Sequence, residues 1–373
     1  MWTQNLKVVY VLAYRATEYI RTQTLLAALR QCPGVELVET RNRSVGVRRY
    51  VETLAALWRI TRRSNPDVYL LGFRGHEIFW PVRWMTGRRP LIFDALMSPS
   101  AALEQERKAG LAGKIIGPLA HRLEHRILRR ADLVLTDTES HARFFAQQFG
   151  VSPRKIVAVP VGAIEVDAPN PASAEGDSSR MDGEFSVLFY GSMLPLHGID
   201  VIVEAAGRVN DLPIRFDFIG GDAKQARRLR QLCREFGVTR YSHRAWVPLE
   251  DLVRIEIPRA AVCLGGPFGG TPQARRVITT KTSQALALGG AVIVGAMEDE
   301  CGFLDRHNCL LVPQADAEAL AAALHWAYTH RDELPSIGRR GYALYRERLS
   351  QDVITHRLCA TLHDLLTGVS DGH

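Results

Sequence analysis

Ser186-Val-Leu-Phe-Tyr-Gly-Ser-Met-Leu-Pro-Leu-His-Gly-Ile-Asp200 is the stretch that decides the fold. Ser186–Tyr190 is a short apolar run of the kind a strand buried on both faces shows, Gly191-Ser192 follows it directly, and a helical pattern runs from Asp200 to Val209. A strand passing through glycine into a helix is the unit of a doubly wound sheet. The glycines allow close approach of the backbone to a ligand, and the N–H groups and dipole at the start of the helix attract phosphate. Ile214–Ile219 repeats the arrangement, running into Gly220-Gly221-Asp222 and a helix over Lys224–Phe236. Taken alone, each of these turns also reads as an ordinary connection between a strand and a helix.

The alternation extends both ways. Downstream lie strand Ala261–Leu264, helix Lys281–Leu288, strands Ala291–Val294 and Leu310–Val312, and helix Asp316–His330. Upstream, the apolar run Leu6–Ala13 leads into a helical stretch from Thr17 to Gln31 with Ile20, Leu25, Leu26 and Leu29 as its stripe. Strand Val35–Val38, an amphipathic segment from Arg49 to Arg62, strand Val68–Leu71, helix Pro81–Thr86 and strand Pro90–Phe93 follow. A helical region between Ser100 and Arg130, strand Leu133–Thr136, helix Ser140–Phe149 and strand Ile156–Val161 complete the first half. The expected fold class is α/β, with two doubly wound Rossmann-like domains facing across a cleft. The expected divisions are a first domain over 1–165 joined by a C-terminal helix within 350–373, a linker or mobile loop over 166–184, and a second domain over 185–349. At 373 residues the chain exceeds the roughly 250–300 at which a single core stops growing.

Composition excludes several classes. With 46% hydrophobic and 23% charged residues the chain is neither disordered nor fibrous. No apolar run approaches the roughly 20 residues that span a bilayer, and the first residues lack the basic-then-apolar order of a signal peptide, so a soluble cytoplasmic protein is expected. Cysteines 32, 233, 263, 301, 309 and 359 form no Cys-x-x-Cys pair, which argues against a disulfide framework and a structural zinc site. The formal charge of +7 is uneven: residues 1–165 carry 25 Lys and Arg against 14 Asp and Glu, and the remainder 22 against 26. A positive first half could meet an anionic substrate, a nucleic acid or the inner face of the cytoplasmic membrane. Helix-turn-helix, zinc-finger and base-stacking patterns are missing, so no nucleic-acid partner is expected. The stretch from Lys108 to Arg130 mixes Leu and Ile with several cations, and reads either as core packing or as a segment resting on an anionic membrane.

Gly265-Gly-Pro-Phe-Gly-Gly-Thr-Pro-Gln-Ala-Arg-Arg-Val-Ile-Thr-Thr-Lys-Thr-Ser-Gln-Ala-Leu-Ala-Leu-Gly289 is more specific. A Gly/Pro loop enters a helix whose first turn carries Lys281, with Arg276 just upstream. The macrodipole disfavours a cation there, so Lys281 suggests an anion shared with the backbone N–H groups. Asp137-Thr138 reads as the N-cap region of the helix beginning near Ser140, and His141 is not counted as catalytic.

The second half resembles the nucleotide-sugar-binding domain of family 4 glycosyltransferases, retaining enzymes of the B-type, two-Rossmann-domain architecture. Four segments carry the likeness in order: Phe189–Asp200, Phe218–Asp222, Lys281–Gly289 with Val292–Val294, and Asn308–Pro313. In the first half, Asn65–Val68, Phe93-Asp94, Ala131–His141 and Lys155–Gly162 fit the same order. The resemblance implies transfer of a sugar from a nucleoside diphosphate sugar donor to a glycan or lipid-linked acceptor in bacterial surface polysaccharide or glycoconjugate synthesis. It implies no cofactor and no metal, since positive side chains and helix N-termini would neutralise the departing diphosphate. The catalytic candidates are His76, Asp94, Arg276 and Lys281. Those for donor binding are Gly191, Ser192, His197, Gly220, Gly221, Trp246, Val247 and Gln284. Four of these depart from the family pattern: Arg276 and Gln284 stand where it has a pair of glutamates, one of them on the ribose, His197 where many members have a lysine that contacts the diphosphate, and Ser192 where many have arginine; the replaced glutamates leave a degenerate sugar-nucleotide-binding protein without transfer activity as the alternative. Gln284 is expected to bond ribose hydroxyls and Arg276 to grip phosphate.

Overall fold

The computed structural model describes residues 5–105, 110–164, 184–299 and 301–368. Its contacts divide the chain into two units, Met1–Gly162 with Gln351–His373, and Ala163–Ser350. The expected linker over 166–184 lies, apart from Glu184, outside the described residues.

Unit 1 is built from β1 (Leu6–Leu12), α1 (Ile20–Gln31), β2 (Val35–Arg41), α2 (Arg48–Ser64), β3 (Val68–Leu71), α3 (Phe79–Thr86), β4 (Leu91–Asp94), α4 (Pro99–Gln105), α5 (Gly110–Arg130), β5 (Leu133–Thr136), α6 (Glu139–Phe149) and β6 (Ile156–Ala158). The strands pair in parallel in the order β2-β1-β3-β4-β5-β6. Strand residues alternate between two cores, as period-two geometry requires. Val9, Val11, Tyr69, Leu71 and Phe93 pack beneath α2, α3, α5 and α6, while Val8, Tyr10, Leu70, Ile92 and Leu135 pack beneath α1.

Unit 2 comprises β7 (Phe185–Tyr190), α7 (Ile199–Arg208), β8 (Ile214–Ile219), α8 (Ala223–Glu235), β9 (Tyr241–Arg244), α9 (Leu249–Asp251), a π turn over Leu252–Glu256, α10 (Ile257–Arg259), β10 (Val262–Leu264), α11 (Thr280–Ala287), β11 (Val292–Gly295), β12 (Leu310–Val312), α12 (Ala317–Thr329) and α13 (Leu334–Arg348). Its sheet is also parallel, in the order β12-β11-β10-β7-β8-β9. The strand order reverses between β7 and β10, and the loops leaving their carboxyl ends are the place where such sheets bind ligands. The strand β9 and the helix α13 are absent from the sequence reading. Tyr241-Ser-His-Arg244 is too polar to look like a buried strand because β9 lies at the sheet edge and is only half covered.

α14 (Gln351–Thr367) returns to unit 1 and lies along α1. Ile354, Leu358 and Leu362 join Leu25, Leu26 and Leu29 in one core, and the Gln351 amide donates to Thr24 O at 3.0 Å. α1 is therefore covered by the sheet on one side and by α14 on another. This contact corrects the expectation of unpaired thiols: Cys32 and Cys359, 327 residues apart, form a disulfide with their Cα atoms 5.7 Å apart. No local spacing could reveal a pair that only the docking of α14 brings together.

Arg21 is buried within α1 and ties three strand ends together. Its guanidinium donates to Asp94 Oδ1 at 2.9 Å, to Pro160 O at 3.0 Å and to Thr136 O at 3.2 Å, and also reaches Val159 O. Burial works against its charge, and Asp94 more than offsets this, so Arg21 titrates above its ordinary range. The catalytic expectation for Asp94 is corrected accordingly: the carboxylate is fully buried and paired, a structural anchor for β4. Removing one partner strands the other charge in the core. Asp94→Asn is expected to lower unfolding stability by about 3–5 kcal/mol, read from denaturant titration, while the surface substitution Glu204→Gln leaves it nearly unchanged.

Candidate functional site

The carboxyl ends of β7, β8 and β10 in unit 2 converge through glycine. Gly191 N–H donates to Ile219 O at 2.8 Å, and Gly220 N–H to Arg244 O at 2.8 Å. A Cβ on Gly220 would stand 2.5 Å from Gly191 O, so these two turns are pressed together. Their own N–H groups are thus taken up by neighbouring strand ends, and the exposed Ser192 is the part of the first turn turned outward. Asp222 caps α8 with a reciprocal Gln225 contact, and Gln225 Nε2 also donates to Met193 O at 3.1 Å.

The loop after β10 crosses the loop after β7. Gly269 N–H donates to Leu196 O at 3.0 Å, a Cβ on Gly269 would lie 2.0 Å from Pro195 O, and one on Gly198 would lie 2.6 Å from Gly269 N. Gly198 also has φ +65°, which completes the requirement for glycine there. The start of α11 is fastened to the same loop. Thr279 Oγ1 accepts from Thr282 N–H at 3.2 Å and donates to Gly265 O at 2.6 Å, and Thr282 Oγ1 donates to Gly266 O at 3.2 Å. The Thr-x-x-Thr pattern was a legible N-cap signal; its second bond, to a loop fourteen residues upstream, was not.

This framework encloses Lys281. Its Nζ lies 3.0 Å from His197 Nε2, 5.4 Å from the centroid of the Phe189 ring, and 3.6 Å from where a Gly191 Cβ would be. His197 Nδ1 meets Ser192 O, so this nitrogen carries the ring proton and Nε2 accepts from the lysine. Burial pushes Lys281 down to about 7. Burial and the adjacent Lys281 charge push His197 down to about 3, so the imidazole is neutral. The pair is a sequestered donor at a helix N-terminus, suited to an anion.

The remaining candidates fall elsewhere. Gln284 sits one turn beyond Lys281, but its amide is committed: Oε1 accepts from Ile164 N–H at 2.9 Å and Nε2 donates to Ile164 O at 3.0 Å. In this arrangement the side chain clasps the chain entering unit 2. Arg276 is buried in a short turn over Ala274–Arg276; burial lowers its pKa and Glu298 acts in the opposite direction. Trp246 is exposed just after β9, and Val247 is half-buried against the core beside Val253 and Ile257.

In unit 1, His76 follows the carboxyl end of β3 with its ring edge-on to Phe93 at 4.8 Å. Its Nε2 is 3.7 Å from Glu124 Oε1, beyond hydrogen-bonding reach, and both ring nitrogens and that oxygen lack partners. Glu124, unnoticed in the sequence, binds Ser98 Oγ and Ser100 N–H through Oε2. Thr138 is the N-cap of α6, as read from the sequence, and Asp137 Oδ1 bonds His141 Nδ1 at 2.7 Å in a buried pair.

Two six-stranded parallel sheets wound on both faces are the B-type glycosyltransferase fold. Residues 8–162 match the family model for the glycosyl transferase 4-like domain, and residues 184–330 match that for glycosyl transferases group 1. The chain belongs to these glycosyltransferases. The D-inositol 3-phosphate glycosyltransferase of Geodermatophilus obscurus is 26% identical over 314 residues, covering 78% of this chain and 66% of that protein. The Nocardia farcinica protein of the same name is 27% identical over 303 residues, covering 78% of this chain and 65% of that protein. The matched region is thus just under two thirds of these relatives' length. Among solved structures, sucrose-phosphate synthase from Thermosynechococcus elongatus superposes with a TM-score of 0.75 at 14% identity, covering 98% of this chain and 100% of that one. Anabaena HepE in complex with UDP and glucose gives 0.70 at 12% identity, covering 96% and 100%.

Gly269→Ala forces the two crossing loops apart without asking for an unusual backbone angle. Thermal unfolding should report a loss of about 1–3 kcal/mol, and Gly87→Ala, where no atom lies within 4 Å of the added carbon but φ is +61°, separates backbone strain from crowding.

Proposed function

We propose that the protein is a retaining glycosyltransferase that takes a sugar from a nucleoside diphosphate sugar held by unit 2 and passes it to a glycan or lipid-linked acceptor held by unit 1. The observation that carries this reading is the buried Lys281–His197 pair at the switch point of the second sheet. In the proposed step the bond between the anomeric carbon and the diphosphate oxygen breaks, and the acceptor oxygen bonds to the same face of that carbon. The acceptor proton leaves with the diphosphate. Lys281 and the N-terminus of α11 stabilise the negative charge that develops there, with Arg276 as a second cation, so no metal ion is assigned to the step. Exposed Ser192, in the turn after β7, is assigned to the phosphates, and exposed Trp246 to the base. His76, with its unsatisfied nitrogens, is the unit 1 group assigned to the acceptor hydroxyl. HepE was solved with UDP-glucose, which supports the donor class. Synthesis of a bacterial surface polysaccharide or glycoconjugate is the setting that fits an acceptor of this kind.

A thermal-shift panel of UDP-, GDP- and dTDP-sugars is the direct test, because a ligand bound only by the folded state raises its stability. One of them should stabilise the wild type and not Lys281→Met; stabilisation by none, or equal stabilisation of both, overturns the assignment. The stabilising donor also fixes the sign of a pH effect. Its esterified phosphates keep a constant charge near neutrality, so the titrating group is Lys281, at about 7 in the free protein and raised by the bound anion. Affinity should be level below that value and fall by up to about tenfold per pH unit above it. Calorimetry in buffers of different ionisation heat should then show proton uptake at pH 8, absent in Lys281→Met.

A further inference from the structure

Buried polar atoms without partners are rare in folded chains, and three in unit 1 stand together. Nδ1 and Nε2 of His76 and Oε1 of Glu124 make no hydrogen bond among the described residues, although Nε2 and Oε1 are 3.7 Å apart and the two side chains are only 12% and 3% exposed. They come from different elements. His76 lies in the short turn over Gly75–Ile78 that follows β3. Glu124 belongs to α5, which carries the described part of the Lys108–Arg130 stretch; residues 106–109 lie outside the described residues, and Ile127 and Leu128 place the end of the helix in the core.

One side of the carboxylate is fixed. Its Oε2 accepts from Ser98 Oγ at 2.9 Å and from Ser100 N–H at 3.1 Å. Ser98 Oγ accepts in turn from Ala101 N–H at 3.1 Å, which leaves its own proton for Glu124. The loop after β4 and the start of α4 thus hold the side chain with Oε1 left over for His76. The imidazole rests edge-on against Phe93, but its turn is entered through Arg74, a residue with a side chain held at φ +62°, which is a strained conformation. Contact between such groups is attainable in this unit, since Asp137 and His141 meet at 2.7 Å. The open pair stands at the carboxyl edge of a parallel sheet, where ligands bind, and hydrogen bonds used in catalysis are commonly long in the free protein and shorten in the complex.

We propose that Glu124 is the positioning residue for His76. The carboxylate draws the ring proton to Nε2, and the bond from Nε2–H to Oε1 closes when the acceptor is bound. Nδ1 then keeps its lone pair and accepts a hydrogen bond from the acceptor hydroxyl, whose proton still leaves with the diphosphate. The use of this tautomer in turnover rests on the transferase reading; the tautomer itself does not.

Glu124→Gln tests it, because the amide preserves the bonds to α4 and reverses the polarity toward the ring. Ser98 Oγ–H and Ser100 N–H are donors, so they hold the amide oxygen and turn its NH2 group to Nε2, which must then accept. Long-range proton–nitrogen NMR of the full chain labelled with 15N-histidine reads the tautomer, with His76→Asn identifying the signal. At pH 8 the wild type should carry the ring proton on Nε2 and Glu124→Gln on Nδ1. Ser98→Ala removes a bond on the far side of the carboxylate, and should lower the thermal midpoint without changing the tautomer. A proton on Nδ1 in the wild type, or the same tautomer in wild type and Glu124→Gln, overturns the inference; the wild-type spectrum alone decides if Glu124→Gln does not fold.

Turnover is read on the member of the UDP-, GDP- and dTDP-sugar panel that stabilises the protein, as its hydrolysis with water for acceptor. Glu124→Gln should lower kcat by about tenfold or more, leave donor KM and donor stabilisation unchanged, and have no further effect in His76→Asn. An unchanged kcat, or an equal loss in both backgrounds, overturns the role in the reaction. Stabilisation by no sugar nucleotide overturns the transferase reading and the role in turnover with it, while the tautomer still decides whether Glu124 positions His76.

Discussion

A lysine ammonium enclosed at the start of a helix, with a neutral imidazole and an aromatic ring for company, is the interaction on which unit 2 is organised. Among the described residues no carboxylate pairs with Lys281, and burial alone lowers its pKa. Enclosing a cation this way costs stability, and evolution tolerates such costs chiefly where the group has work to do. The features that surround it are the means of holding it: the crossing loops that only glycine permits, the threonine bonds at the start of α11, and the carbonyl of Ser192 that sets which imidazole nitrogen faces the lysine.

Unit 1 solves a similar problem in the opposite way. Arg21 is as deeply buried as any residue, yet Asp94 and three backbone carbonyls satisfy it. Its charge is neutralised and its donors are filled, so it positions strand ends and has little left to offer a ligand. The contrast separates two buried cations that look alike in sequence. One is finished within the fold; the other has only a neutral imidazole for a side-chain hydrogen-bond partner among the described residues.

The architecture was legible because its signals are local. Apolar runs such as Ser186–Tyr190 and Val68–Leu71, each followed by glycine and a helical period, announce parallel strands, and the observed boundaries agree within a few residues. Lys281 was legible for the same reason, since a cation at a helix N-terminus contradicts the dipole in any context. What escaped depended on distant partners. Asp94 looked like a residue ending a strand at a ligand edge, and only Arg21, 73 residues away on α1, makes it structural. Gln284, read as a ribose ligand, also holds Ile164, 120 residues away, through both ends of its amide, a bond no local pattern announces. Glu124 carried no signal, being one acid in an arginine-rich helix.

The bond between Cys32 and Cys359 changes what kind of object the chain is. Both cysteines belong to unit 1, so the whole of unit 2 is a loop sewn into a covalent ring. A protease that nicks the backbone once anywhere between those two positions opens the ring but releases no fragment; the severed halves part only when the sulfur link is reduced. Unit 2 can unravel while its two attachments stay moored at one seam.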